Sequence, residues 1–205
     1  GQRGPVGVVK IKLPEERNEC FAYVPEGYDG VVPHGVVVWL HAPGEYHQDQ
    51  LVTRWKEHCQ RNDLILLAPK AVHQDKWQRT EVQFIRKALD NLLSHYKVDR
   101  SRIVLHGYQG GAVMAYLTAF AHRDLVRGVV AVDAALPRGL RPPDNEPLQR
   151  LAFYITTSKS KDSDRIKNTI KSLEKMKFPV TVRDTGEGAR QLSTEELSEL
   201  IRWID

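Results

Sequence analysis

Gly107-Tyr108-Gln109-Gly110-Gly111 lies between an apolar, strand-like run at residues 102–106 and a small-residue, helix-like segment at 110–120. Glycines at the first and last of these five positions let a chain turn sharply from strand to helix. They also lift the central side chain above a sheet, as in a G-x-S-x-G turn. The central residue here is Gln109. A carboxamide has no ionisable proton to give a base and makes no useful covalent intermediate, so nucleophilic hydrolysis from this position is chemically excluded. Its N–H pair and carbonyl oxygen equip it instead to hold a ligand or to bond nearby backbone.

Other side chains capable of chemistry are few. The eight histidines are His34, His41, His47, His58, His73, His95, His106 and His122, and none follows His122. His106, directly before Gly107, and His41, at the end of another strand-like run, are candidates for an unorthodox base. Strand-end histidines are more commonly packed and hydrogen-bonded. The spacing of His41, His47 and His58 matches no single-helix ligand pair and carboxylates are sparse around them, so no metal site is expected. Cys20 and Cys59 fall in strand-like and helix-like segments without C-x-x-C spacing, which suggests neither a disulfide framework nor zinc. No G-x-G-x-x-G follows a strand and there is no Walker-type Gly-Lys-Ser/Thr, so no cofactor is expected. Trp39, Trp55, Trp77 and Trp203 lie in or beside predicted elements and are expected to pack.

These residues must be positioned by elements that the hydrophobic pattern makes visible. Short β-branched runs alternate with longer segments of helical period, the pattern of a mostly parallel sheet covered by helices. Strands are predicted at 6–13, 19–24, 35–41, 64–68, 102–106, 126–132, 151–156 and 180–183. Val82, Ile85, Leu89, Leu92 and Tyr96 mark an amphipathic helix behind a capping-box match from Thr80 to Gln83. Residues 110–120, apolar nearly all round, predict a helix packed deep against the sheet. Ile166, Ile170 and Leu173 mark a third helix, and Leu197, Leu200, Ile201 and Ile204 a last one behind Ser193-x-x-Glu196. Pro137, Pro142, Pro143 and Pro147 predict a long irregular loop.

At 205 residues the chain fits one domain, with a linker and opening strand over 1–17 and the domain proper over 18–205. Thirty Lys plus Arg against 26 Asp plus Glu leave a net charge of +4, with the two signs interleaved. That is a solvated surface rather than a nucleic-acid stripe. The densest basic stretch, Lys159 to Lys175, also carries Asp162, Asp164 and Glu174, as an exposed helix face would. No apolar run approaches the ~18 residues of a membrane span and no signal-peptide pattern is present, so a soluble chain with no membrane partner is expected. The opening Gly1-Gln2-Arg3-Gly4-Pro5 resembles a linker. The expectation is a domain excised from a longer, exported bacterial protein, whose other domains would be partners.

An ordered set of segments resembles the α/β-hydrolase fold over residues 18–205, specifically its small esterases of the carboxylesterase, feruloyl-esterase and polyhydroxybutyrate-depolymerase type. Tyr23-Val24-Pro25-Glu26-Gly27-Tyr28-Asp29 resembles the segment leading into the central strand of those enzymes. Trp39-Leu40-His41-Ala42-Pro43-Gly44-Glu45 resembles their oxyanion loop. Ala68-Pro69-Lys70 with Trp77, then Val98-Asp99-Arg100-Ser101-Arg102-Ile103 before the turn, complete the likeness. The resemblance implies a three-layer α/β/α sandwich with a doubly wound, mostly parallel sheet of about eight strands and no large lid.

It also implies a nucleophile at the turn, an acid after a later strand and a histidine near the C-terminus, in that chain order. In Gly186-Glu187-Gly188-Ala189, Ala189 occupies the histidine's place, and Arg190, which follows, is cationic at any working pH. Asp162 or Asp164 stands near the acid position, although either could cap the following helix. Asp133, at the end of the 126–132 strand, is another carboxylate near the pocket rim. His41 and Gly44 lie on the loop that would present N–H groups to an oxyanion, with Tyr108 and Gly110 flanking Gln109. The expectation is a degenerate, esterase-like site that binds a small-molecule or protein ligand without cleaving it. The alternative is an ester hydrolase in which His41 or His106 activates water and Asp133 or Asp162 orients it.

Overall fold

A computed structural model describes residues 4–205; Gly1, Gln2 and Arg3 of the expected linker lie outside the described residues. In chain order the elements are β1 (Gly7–Lys10), β2 (Cys20–Val24), β3 (His34–Leu40), α1 (Gln48–Asn62), β4 (Leu64–Pro69), α2 (Val82–His95) and β5 (Val98–Tyr108). They continue with α3 (Gly110–Ala121), β6 (Gly128–Val132), β7 (Ala152–Lys159), α4 (Ser163–Lys175), β8 (Val180–Glu187) and α5 (Thr194–Ile204). The strands form one sheet in the order β1-β2-β4-β3-β5-β6-β7-β8. β1 and β2 run antiparallel to their neighbours, and every pairing from β4 through β8 is parallel.

The layers follow from the side-chain period of the strands. On β3, Val36, Val38 and Leu40 enter one core, shared with Ile85, Leu89 and Leu92 of α2, Met114 and Tyr116 of α3, and Ile166 of α4. Val37 and Trp39 point the other way, into a core closed by Leu51, Trp55 and Cys59 of α1 and Leu197, Leu200 and Ile201 of α5. β3 and β4 are buried along their whole length, as central strands covered on both faces must be. Cys20 and Cys59 are free thiols in these cores. Among the described residues no helix is long and apolar enough to cross a membrane.

Several details depart from the sequence expectation: the strand expected over 6–13 spans only Gly7–Lys10, and the one expected at 151–156 runs on to Lys159. The capping box ahead of α2 is made by Gln78 and Glu81, not Thr80 and Gln83. A 3-10 turn, Arg79–Glu81, precedes α2, and the Gln78 N–H donates to Glu81 Oε2 at 2.6 Å. Glu81 is buried, and its other oxygen accepts from the Val72 N–H and from Asn18, while Thr80 lies within the 3-10 turn and not at its cap. The strand expected over 102–106 runs from Val98 to Tyr108, carrying the chain directly into the turn at Gln109. The strand expected at 180–183 extends to Glu187.

Candidate functional site

At the end of β5, Gln109 adopts φ 54° and ψ −124° before α3 begins at Gly110. A non-glycine residue at such a φ is strained, and the packing around it shows what holds it there. A Cβ on Gly107 would lie 2.3 Å from the Gly111 carbonyl carbon, and one on Gly111 would lie 2.0 Å from the Leu40 carbonyl oxygen. Strand end, helix start and the loop after β3 therefore meet backbone against backbone, which only glycine permits. The Gln109 side chain is exposed above this junction.

Gln109 forms part of a cavity of about 300 Å³ between the C-terminal ends of β5, β6 and β7. Asp133, Asp162, Arg165, Lys161, Ser160 and Ala189 also line it. Four residues singled out in the sequence, Gln109, Asp133, Asp162 and Ala189, are thus brought together from four separate segments. Asp133 follows β6 with φ 49° and is 7% exposed. Its N–H donates to Thr156, and the Ser158 hydroxyl donates to its Oδ1 at 2.9 Å. Asp162 occupies the N-cap position of α4 but makes no capping hydrogen bond. Its carboxylate instead faces Arg165 at 3.6 Å, and Ser163 satisfies the loop carbonyls of Ser158 and Ser160. Asp164 lies one position further, in the first turn of α4, and is not part of the cavity lining.

The other candidates do not line this cavity. His106 points into the α1–α5 side of the sheet, fully buried, its ring stacked on Trp39 at 4.3 Å and edge-on to Trp55 at 6.0 Å. Burial, with the Arg54 charge adding to it, holds its pKa down to about 3, so the ring is neutral at working pH. Among the described residues neither ring nitrogen has a hydrogen-bond partner. His41 is buried behind the loop, with Nδ1 2.8 Å from the Ala42 carbonyl and Nε2 accepting the Ala71 N–H at 3.0 Å. Both nitrogens are occupied, and burial pushes its pKa down. Neither histidine is placed to activate a water over Gln109.

Gly44 has φ 73°, and its N–H donates to the Gln74 carbonyl at 2.9 Å, so that N–H is not free for an oxyanion. The loop residue packed beside Gly110 is Pro43, whose ring lies 3.4 Å from where a Gly110 Cβ would stand. Proline has no N–H to give. Reading the sequence for acids, bases and glycines passes over Pro43, although an imino acid inside an oxyanion-type loop is itself a signal. Tyr108 is buried beside Trp39 and Val132, and burial raises its phenol pKa. Arg190 turns away from the cavity to the buried Glu196, with Nη1 2.6 Å from Oε1. That ion pair, with hydrogen bonds from Ser193, holds the Glu196 carboxyl down to about 2.

No protein-family model and no curated protein matches the chain. Solved structures match it closely in shape. The acetyl xylan esterase from Aspergillus awamori superposes with a TM-score of 0.74 at 9% identity, covering 96% of this chain and 99% of that one. A ferulic acid esterase gives 0.70 at 15% identity over 96% of each chain. A thermostable esterase gives 0.64 at 14% identity, with this chain covering 54% of its length. The chain has the α/β-hydrolase fold and resembles esterases and serine hydrolases that share it. At these identities the likeness carries the fold and not the activity.

Proposed function

We propose that this chain is a catalytically silent, esterase-like α/β-hydrolase domain that keeps the pocket above the strand-to-helix turn at Gln109, its elbow, as a ligand-binding site, serving other domains of a larger protein. The reading rests on one observation. Gln109 holds the raised, positive-φ position at the elbow, and Ala189 shares its cavity, whose lining contains no histidine. The positions a nucleophile and a base would take thus carry an amide and a methyl group, neither able to move a proton.

Three further features support it. Pro43 and the committed Gly44 N–H weaken the loop that would stabilise an oxyanion. The buried, neutral His41 and His106 speak against a rearranged site. The open cavity and exposed Gln109 favour ligand binding over a purely structural appendage, in which the elbow would be filled and dry.

The test is hydrolysis of a panel of short p-nitrophenyl esters by the purified domain, beside Gln109→Ala and His41→Ala variants. The expected result is no turnover above buffer from any of them. Turnover that either substitution abolishes overturns the proposal.

A further inference from the structure

Asp133 is the least compensated buried charged group lining the cavity above Gln109. It is 7% exposed, and its single side-chain partner is the Ser158 hydroxyl on Oδ1. Among the described residues no Lys, Arg or His forms an ion pair with it. The two cations that share the cavity do not serve it: Arg165 is held by Asp162 and by the Leu136 carbonyl at 3.0 Å, and Lys161 extends into solvent. A carboxylate taken out of water without a counter-charge is costly, and buried carboxylates are ordinarily paired. The positive φ of Asp133 is a second cost incurred at the same residue. The N–H bonds to Thr156 and the Ser158 hydroxyl together fix Asp133 at the cavity wall, and among the described residues Oδ2 has no hydrogen-bond partner.

We propose that the elbow pocket binds a small primary ammonium ligand, with Asp133 as its counter-charge and the Gln109 carbonyl oxygen as a second acceptor. The proposal rests on the reading of this cavity as a retained ligand site and specifies its chemistry. An ammonium carries three N–H donors and no acceptor, which suits a pocket offering a carboxylate oxygen and an amide oxygen. A volume of about 300 Å³ is at the small end of ligand sites, so the ligand is one ring or a short chain rather than a peptide or a glycan. No bond is made or broken.

The experiment follows backbone amide NMR shifts of Val113, Ala134 and Ala135 on titration with three probes of one shape: benzylamine, benzyl alcohol and benzoate. Benzylamine at millimolar concentration is expected to shift these amides. Benzyl alcohol is expected to bind more weakly, and benzoate not at all. Asp133→Asn keeps the size and the Ser158 contact, and should weaken benzylamine by about tenfold or more. Gln109→Trp should block the pocket from its exposed floor. Benzoate binding in preference to benzylamine, or equal benzylamine binding by Asp133→Asn, overturns the ammonium assignment and leaves the pocket reading standing. No shift from any probe overturns both. The three-probe comparison on the unmodified chain decides the ligand class even if Asp133→Asn fails to fold.

Discussion

Gly111 lies so close to Leu40 that a methyl on its α-carbon would stand 2.0 Å from the Leu40 carbonyl oxygen and 2.8 Å from that of His41. Both obstacles are backbone, which no rotamer change can move. Gly111→Ala is therefore expected to force β3 and α3 apart and to destabilise the domain by about 3 kcal/mol or more, at the upper end of overpacking costs. Denaturant unfolding measures it. A loss below about 0.5 kcal/mol, the scale of a neutral surface change, would mean that the elbow is not close-packed.

The buried His106 is expected to make the fold sensitive to acid. Folded, its pKa is about 3; unfolded, it returns to the ordinary value near 6.5. The folded-state value is the lower of the two, so the unfolded chain takes up a proton that the folded chain refuses. Stability is complete above about pH 6.5 and declines as pH falls toward 3, at about 1.4 kcal/mol per pH unit for one such histidine. His41, also held neutral by burial, adds to the decline in the same direction. Glu196, held down to about 2, adds its own loss only below the ordinary glutamate range. The interval between pH 6.5 and 5 therefore belongs to histidine. Replacing His106 by Phe should reduce the slope of that part of a stability–pH profile measured by urea unfolding, the remainder belonging to His41, His58 and His122, whose pKa values burial also lowers; an apolar ring needs no hydrogen-bond partner. An unchanged slope would show that His106 is not the group responsible.

Much of this architecture is legible in the sequence, because its signals are strong. β3 and β4 are unbroken apolar runs, α2 has an apolar stripe at helical spacing, and Ser193 with Glu196 forms the capping box its spacing announces. The helix α1 is harder to place. Apart from Leu51, Trp55, His58 and Cys59 it is mostly polar and charged, and His47 makes no side-chain cap to mark its start. At the site, a turn motif and chain order single out Gln109 and Ala189, and both line the same cavity. The roles of His106, Arg190 and Asp162 are not legible, since they depend on which way a side chain leaves the backbone. His106 points to the α1–α5 face, Arg190 turns to α5, and Asp162 is drawn to Arg165 instead of capping α4.

Arg190 and Glu196 tie the segment after Ala189 to the start of α5. Removing the guanidinium by Arg190→Ala leaves Glu196, 6% exposed, with Arg183 at 3.4 Å and the Ser193 N–H as remaining partners. Those partners keep part of the compensation, so the expected cost is about 1–2 kcal/mol rather than that of a fully orphaned charge. Benzylamine binding should be unchanged once the domain is folded. Loss of binding at unaltered stability would place Arg190 in the pocket after all.

The frame also invites a test by reconstruction. Gln109→Ser with Ala189→His puts a hydroxyl on the raised elbow position and an imidazole on the same cavity, where Asp133 and Asp162 already supply carboxylates. Catalysis requires these groups to be held within a fraction of an ångström of productive geometry by their surroundings. Here Asp162 is engaged by Arg165, Asp133 by Ser158, and Pro43 offers no N–H beside Gly110. A missing oxyanion donor alone costs on the order of 10² to 10³ in turnover. The double variant is therefore expected to hydrolyse p-nitrophenyl acetate detectably above the parent chain, yet at least about 10²-fold below a native esterase assayed beside it. A rate equal to that esterase would show that the supporting residues have stayed in register, and that only two substitutions separate this chain from catalysis.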